Sequence, residues 1–297
     1  MNLELYRAFY FIAKSGSISK AAEQLFITQP AVSRAVKQLE DALGCVLFFR
    51  TSKGVKLTPE GTVLFQYIDQ AFNFIFRGEK KINEVKSLQF GEIRIGVSDT
   101  LCKYYLAPYL KLFNTLYPGI KIQVTSPTTP VIISLIKSGK VDFGIVNLPV
   151  ADDQLEINRI MEIQDCLVAG KKYRHLSYQM QPLNEIVKYP LLFLERNSNS
   201  RRYIDQYFKR NNVVPSPDFE LGNFDLLIHF AKNDFGIACV IKNFIQEDLD
   251  RGNLYEVKPI EKIPPRHVGI ARLAEVPLSA AAQELIRHLE FVENSEI

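Results

Sequence analysis

Apolar residues recur at helical spacing in three consecutive runs near the start of the chain. Leu5, Ala8, Phe9 and Ile12 share one face of a helix that Gly16 stops. Ser17 then caps a shorter helix whose inner face is Ala21, Ala22 and Leu25. Only Phe26 and Ile27 separate it from a third helix, striped by Val32, Val36, Leu39 and Leu43, with Thr28 as N-cap and Gly44 as stop. Pro30 falls in its first turn, where backbone N–H groups lack an intrahelical partner anyway. Two short strand-like runs around Ser52, Lys53 and Gly54 predict a hairpin. Thr58 and Pro59 open one long helix reaching about residue 88. Along it Leu64, Ile68, Ala71, Ile75, Gly78, Ile82 and Val85 step by alternating four and three residues, a heptad seam. Beyond Phe90 strands and helices alternate, predicting an α/β region with a largely parallel sheet. Breaks near 161–166 and at Pro264 and Pro265 predict two crossovers joining two lobes. The fold class is α+β overall.

The polar face of the third helix changes the picture. Pro30, Ser33, Arg34 and Lys37 lie opposite its apolar stripe, with Gln29 at their edge, and Gln and Arg are the side chains that bond adenine and guanine edges bidentately. Helix, short helix, tight turn and longer basic-faced helix form a helix-turn-helix pattern, and Arg50, Lys53 and Lys56 make the hairpin a basic wing. Residues 1–86 hold 12 Lys and Arg against 8 Asp and Glu, while the whole chain is only +3. A basic head on a near-neutral body suits DNA binding better than general nucleic-acid coating.

Residues 1 to about 65 resemble the winged helix-turn-helix of the LysR-type transcriptional regulators. "AAEQLFITQPAVSRAVKQLEDALGCVLFFR" and the following "LTPEG" carry the match, and "SGKVDFGIV" and "NDFGIACVI" extend it more loosely. Ile241 departs from the family pattern, which usually has proline there, and is expected to alter only a local turn. The resemblance implies a winged helix-turn-helix domain over 1–58, a linker and dimerisation helix over 59–90, and an effector-binding domain over 91–297. That last domain would be a periplasmic-binding-protein-like pair of α/β lobes, lobe I about 91–163 and 266–297, lobe II about 164–265. The implied function is sequence-specific regulation of transcription on double-stranded DNA by a homodimer or homotetramer, with RNA polymerase as a further partner. Gln29, Pro30, Ser33 and Arg34 are then the base readers, and Thr28, Lys37, Arg50 and Lys53 the phosphate or groove-wall contacts. Leu64, Ile68, Ala71, Ile75, Ile82 and Val85 form the dimerisation seam.

In open α/β sheets ligands gather beyond the carboxyl ends of the strands, at helix N-termini. Those junctions carry Ser98, Thr100, Thr128, Thr129, Asn147, Asn197, Ser198, Ser200 and Asn223, and match the family's effector-contacting positions. Such residues also serve as ordinary helix caps. Helix N-termini with Arg201 and Arg202 favour a small carboxylate, whereas Asp99 and Glu195 suit an amine, so an amino-acid-like compound satisfies both.

No catalytic pattern competes with this reading. His175, His229, His267 and His288 fall in no nucleophile or metal motif, and no Gly-rich phosphate loop occurs. Cys45, Cys102, Cys166 and Cys239 are too scattered for a zinc site or disulfide framework. Neither a cofactor nor a metal is expected. Redox sensing at Cys102, beside a helix start, is the weaker alternative. Without a signal segment or an apolar run of membrane-spanning length, a soluble cytoplasmic protein is expected.

Overall fold

The computed structural model describes residues 2–51, 54–84 and 90–291. Two compact units meet in sequence between Lys81 and Ile82.

The first unit opens with α1 (Leu3–Ser15), α2 (Ile18–Leu25) and α3 (Gln29–Leu43). Gly16 and Gly44 end α1 and α3 in the left-handed conformation. Ala8, Phe9, Ile12, Ala21, Ala22, Val32, Val36 and Leu39 form the core. Leu43, expected in the stripe, is the last residue of α3 and is instead 43% exposed. Strands β1 (Phe48–Thr51) and β2 (Gly54–Leu57) pair antiparallel as the wing.

Helix α4 (Pro59–Glu84) starts directly on this core. The Thr58 hydroxyl accepts from the Gly61 N–H at 2.9 Å and donates to the Val46 carbonyl at 2.8 Å. A Cβ on Gly61 would stand 2.1 Å from the Leu47 carbonyl oxygen, so the "TPEG" start needs glycine for backbone contact. Leu64, Phe65 and Ile68 then pack against the head, and Phe72 stacks on Tyr10 with centroids 4.7 Å apart. This is why the division between units falls inside the 59–90 span and not at its edge.

The second unit holds two five-stranded sheets. The first lobe contains β3 (Gly91–Val97), α5 (Asp99–Leu101) continued by a π-helical turn into α6 (Ala107–Leu116), β4 (Ile120–Thr125), α7 (Thr129–Lys137), β5 (Phe143–Asn147) and β6 (Leu155–Ile163). The second contains β7 (Asp165–Ala169), α8 (Leu183–Ile186), β8 (Leu191–Leu194), α9 (Asn199–Arg210), β9 (Phe219–Leu221), α10 (Phe224–Lys232), β10 (Ile237–Ile241), α11 (Gln246–Asp250) and β11 (Tyr255–Val257). The chain returns to the first sheet as β12 (Arg266–Leu273) and closes with α12 (Ala280–Phe291). Sheet orders are β4-β3-β5-β12-β6 and β11-β7-β10-β8-β9.

Neither sheet is as parallel as the βαβ rhythm predicts. β3, β4 and β5 run parallel, but β12 is antiparallel to both β5 and β6; likewise β7 is antiparallel to β10 and β11. The strands that break the rule are those at the crossovers, which no intervening helix turns around. Ile241 ends β10 opposite Asp165 and is buried, so the expected local change leaves the strand intact.

Close approach fixes the helix that matters most for the cleft. Gly96 and Gly144 face each other on β3 and β5, and a Cβ on either would lie within 2.9 Å of the Ile132 side chain. α7 rests on this bare strip, which holds its N-terminus over the strand ends.

Candidate functional site

On α3 the residues Thr28, Gln29, Pro30, Arg34 and Lys37 are exposed and Ser33 is half-buried. Thr28 sits at the N-cap with φ −78° and ψ 151°, yet its hydroxyl makes no capping bond. Its carbonyl accepts from Ala31 and Val32, leaving the side chain unused by the helix. Gln29 Nε2 donates to the Ser19 hydroxyl at 2.8 Å, so α2 braces this side chain. Ser19 is a contact that helical periodicity does not reveal. Glu40 accepts from the Leu47 N–H at 2.7 Å, which commits that acid to the root of the wing. Arg50 belongs to β1, but its side chain, like all of Lys53, lies outside the described residues.

The heptad seam on α4 divides. Leu64 and Ile68 are partly buried against their own head, whereas Ala71 and Ile75 are exposed. Among the described residues Val63, Tyr67, Ala71 and Ile75 are exposed and form a stripe four residues apart, and Phe76 beside them is exposed too. Repeat counting could not separate the stripe that serves the head from the one beside it. The Ile82 side chain and Val85 lie outside the described residues.

In the second unit one cavity of about 110 Å³ lies between the lobes. Ser98, Thr100, Thr128, Thr129 and Asn147 line it from the first lobe, and Asn197, Ser198, Ser200 and Asn223 from the second. Asp99, Glu195 and Ile241 join them. Ser198 and Asn223 are working caps, accepting from the N–H groups of Arg201 and Leu226 at 3.0 Å each. Ser98 and Thr128 make no capping bond, and the Ser98 Oγ is buried without a hydrogen-bond partner among the described residues. An unsatisfied buried hydroxyl carries a desolvation cost that a ligand atom can relieve.

The two arginines expected beside the cleft do not line it. Arg201 is buried under its own lobe, where it donates to the Leu194 carbonyl at 2.8 Å and to Asp205 at 2.8 Å. Its guanidinium lies over the Phe193 ring, 5.4 Å from the centroid, while its charge stays paired. Arg202 is exposed elsewhere on α9. The buried cation near the cavity is Arg266, at the start of β12. It grips both carboxylate oxygens of Asp165 at 2.5 and 2.9 Å and also reaches Asn147 and Ser200. Both partners sit at chain crossovers, a juxtaposition that sequence spacing across 101 positions cannot show.

Two family models match the chain. A bacterial regulatory helix-turn-helix protein model of the lysR family covers residues 3–62, and the LysR substrate binding domain covers residues 86–292. The chain is a LysR-family transcriptional regulator. It is therefore a DNA-binding regulator with an effector-binding domain, not an enzyme. The HTH-type transcriptional regulator YofA of Bacillus velezensis is 25% identical over 288 residues, 97% of each chain. Among solved structures, a full-length OxyR variant from Pseudomonas aeruginosa has a TM-score of 0.70 at 18% identity, covering 97% of this chain and 94% of that one. Full-length CbnR in complex with its target DNA has a TM-score of 0.65 at 16% identity, covering 97% and 99%. These likenesses show the fold.

In this LysR-family regulator the surroundings of Cys102 work against the thiolate that redox sensing would use. Burial and the neighbouring Asp99 carboxylate push its pKa up, against a hydrogen bond to Ser126, so the thiolate is disfavoured. Among the described residues no group of three or more His, Cys, Asp or Glu could hold a metal, and no helix is long and apolar enough to cross a membrane.

Proposed function

We propose that this regulator works as a cytoplasmic, ligand-controlled DNA reader in three functional parts: 1–58 reads, 59–90 pairs, and 91–297 senses. Gln29, Pro30, Ser33 and Arg34 read base edges, while Thr28, Lys37, Arg50 and Lys53 hold phosphates and the groove wall. Pairing through α4 makes a homodimer that presents two recognition helices to a two-fold symmetric site. Two dimers assemble on DNA as a tetramer, with RNA polymerase as a further partner. The pairing face centres on Ala71 and Ile75, with Val63 and Tyr67 beside them. A small polar effector, a carboxylate or amino-acid-like compound, binds between the lobes and alters DNA binding or bending.

One observation carries the sensing part: polar side chains from both lobes converge on one cavity, and one of them, Ser98, has a buried hydroxyl with no hydrogen-bond partner among the described residues. The test is a thermal-shift panel of amino acids, organic acids, phosphorylated sugars and aromatic carboxylates on the full chain. A compound that raises the melting temperature of the wild type, but not of Ser98→Ala or Thr128→Ala, supports it. A hit that both variants retain places the effector elsewhere.

A further inference from the structure

Two cavity-lining side chains, Asn147 and Ser200, are held from behind by one buried guanidinium. Arg266 is 3% exposed and Asp165 4%, and together they form a bidentate pair. Arg266 Nη1 donates to Asn147 Oδ1 at 2.6 Å, and Nη2 donates to Ser200 Oγ at 3.0 Å. The Tyr203 ring covers the guanidinium, 5.4 Å from its centroid.

A guanidinium has five donors and no acceptor. The Asn147 atom that faces it is therefore the oxygen, and the amide hydrogens are what Asn147 has left to offer. Ser200, already accepting, keeps its proton to give. Neither side chain donates to another described residue, and both line the cavity. The Asn147 backbone carbonyl meanwhile accepts from Asn199 Nδ2 at 3.0 Å, which anchors it across the lobes. Ser98 adds a second hydroxyl, buried and without a hydrogen-bond partner among the described residues. Arg266 has its charge matched by Asp165, so it orients these groups without making the cavity cationic. Asp99 and Glu195 also line the cavity, but both are exposed and screened by water.

We infer that Arg266 is a positioning residue that fixes the cavity floor as a hydrogen-bond donor surface, so the site takes its ligand through acceptor atoms, a carboxylate or carbonyl, at Asn147 and Ser200. The inference rests on the cavity being the effector site. Arg266 joins three segments that belong to different parts of the unit: the end of β5, the start of β7 and the first turn of α9. A ligand that draws on Asn147 and Ser200 therefore pulls on the residue that ties the crossovers together.

The test uses the full chain with a matched pair of probes, propionate and n-propylammonium, at equal ionic strength, and reads apparent dissociation constants from melting-temperature shifts. Propionate is expected to stabilise the wild type and n-propylammonium not to. Asn147→Asp keeps an acceptor facing Arg266 and replaces the amide hydrogens with a second acceptor, so the preference should reverse. Replacing the ion pair as a unit, Arg266→Gln with Asp165→Asn, frees the amide to turn over. The propionate preference should then fall by about tenfold, the worth of one charge-assisted hydrogen bond. Gly222→Phe serves as the control for location, because Gly222 lines the cavity and a Cβ there meets, among the described residues, only Glu195 Oε1 at 3.5 Å, which leaves room for a ring at the cavity wall. Propionate binding that survives Gly222→Phe overturns the cavity reading and this inference with it. Binding blocked by Gly222→Phe but with the same preference in Asn147→Asp leaves the cavity standing and overturns the role of Arg266. A wild type that responds to n-propylammonium instead, or to neither probe, also overturns it.

Discussion

Lys103 of the first lobe and Asp225 of the second form an ion pair, with Nζ 2.7 Å from a carboxylate oxygen. The Tyr104 hydroxyl donates to the same oxygen at 2.8 Å, and its ring stacks on Phe244 with centroids 5.1 Å apart. The lysine and tyrosine come from the π-helical turn Cys102–Leu106, and the aspartate from the first turn of α10.

Burial acts to raise the Asp225 pKa, but the hydrogen bonds from Lys103 and Tyr104 outweigh it and hold the carboxyl below its ordinary 3.8. A carboxyl with a lowered folded pKa stabilises above the unfolded value, and that contribution drains as pH falls through the folded one. Lys103 is raised above 10.5 by Asp225 and then Tyr104, so its share is lost only as pH rises past that value. The side chains are 57% and 53% exposed, and water screens the pair strongly. The urea midpoint of the wild type minus that of Asp225→Asn should thus be small and flat from about pH 5 to 9 and shrink below about pH 4. A difference that grows on acidification would contradict the assignment.

Arg266→Gln alone leaves Asp165 buried and uncompensated, and should cost about 3–5 kcal/mol of stability. Adding Asp165→Asn should recover most of that loss. Denaturant unfolding of the single and double variants measures both, and equal losses would show that the pair is not one unit.

Gly61→Ala should destabilise the head by about 1–3 kcal/mol, because its Cβ collides with a backbone carbonyl that cannot swing aside. Gly78→Ala is the comparison: its Cβ meets nothing within 4 Å among the described residues and should not destabilise the head. The two melting temperatures decide it.

Ile75→Glu and Ile68→Ala should separate pairing from folding. The first charges the open stripe and should shift the chain toward monomer in analytical ultracentrifugation without lowering head stability. The second removes packing against the head and should cost about 1–2 kcal/mol, at the low end for a buried aliphatic because Ile68 is only partly covered.

Arg34→Ala should cost about 1–3 kcal/mol in operator affinity and relax base preference at one position. Lys37→Ala should weaken all sequences alike and flatten the salt dependence. Gel shifts on matched and mismatched duplexes at two salt concentrations distinguish them, and intact discrimination in Arg34→Ala would rule out its reading role.

Much of this architecture is local and so legible along the chain. Helix stops at Gly16 and Gly44, the Thr58 cap and the polar strand ends each follow from a residue's own backbone chemistry. What stayed hidden depends on partners far away in sequence. Arg201 reads like an anion binder until Asp205, Glu220 and the Leu194 carbonyl are seen around it. Leu64 and Ile68 fit a heptad equally well whether they face a second chain or their own head. Strand direction was also out of reach, since β12 looks like any apolar strand until its pairing with β5 and β6 reverses it.

The most direct test links the cavity to DNA. A duplex selected from a random pool by the full chain supplies the operator, and a compound that stabilises the protein supplies the effector. Operator affinity and gel mobility are then measured with and without that compound, in the wild type and in Gly222→Phe. A change in affinity or bending that appears in the wild type and vanishes in Gly222→Phe is the result expected. Identical curves with and without the compound in the wild type, or an equal change in both proteins, would contradict ligand control through the inter-lobe cavity.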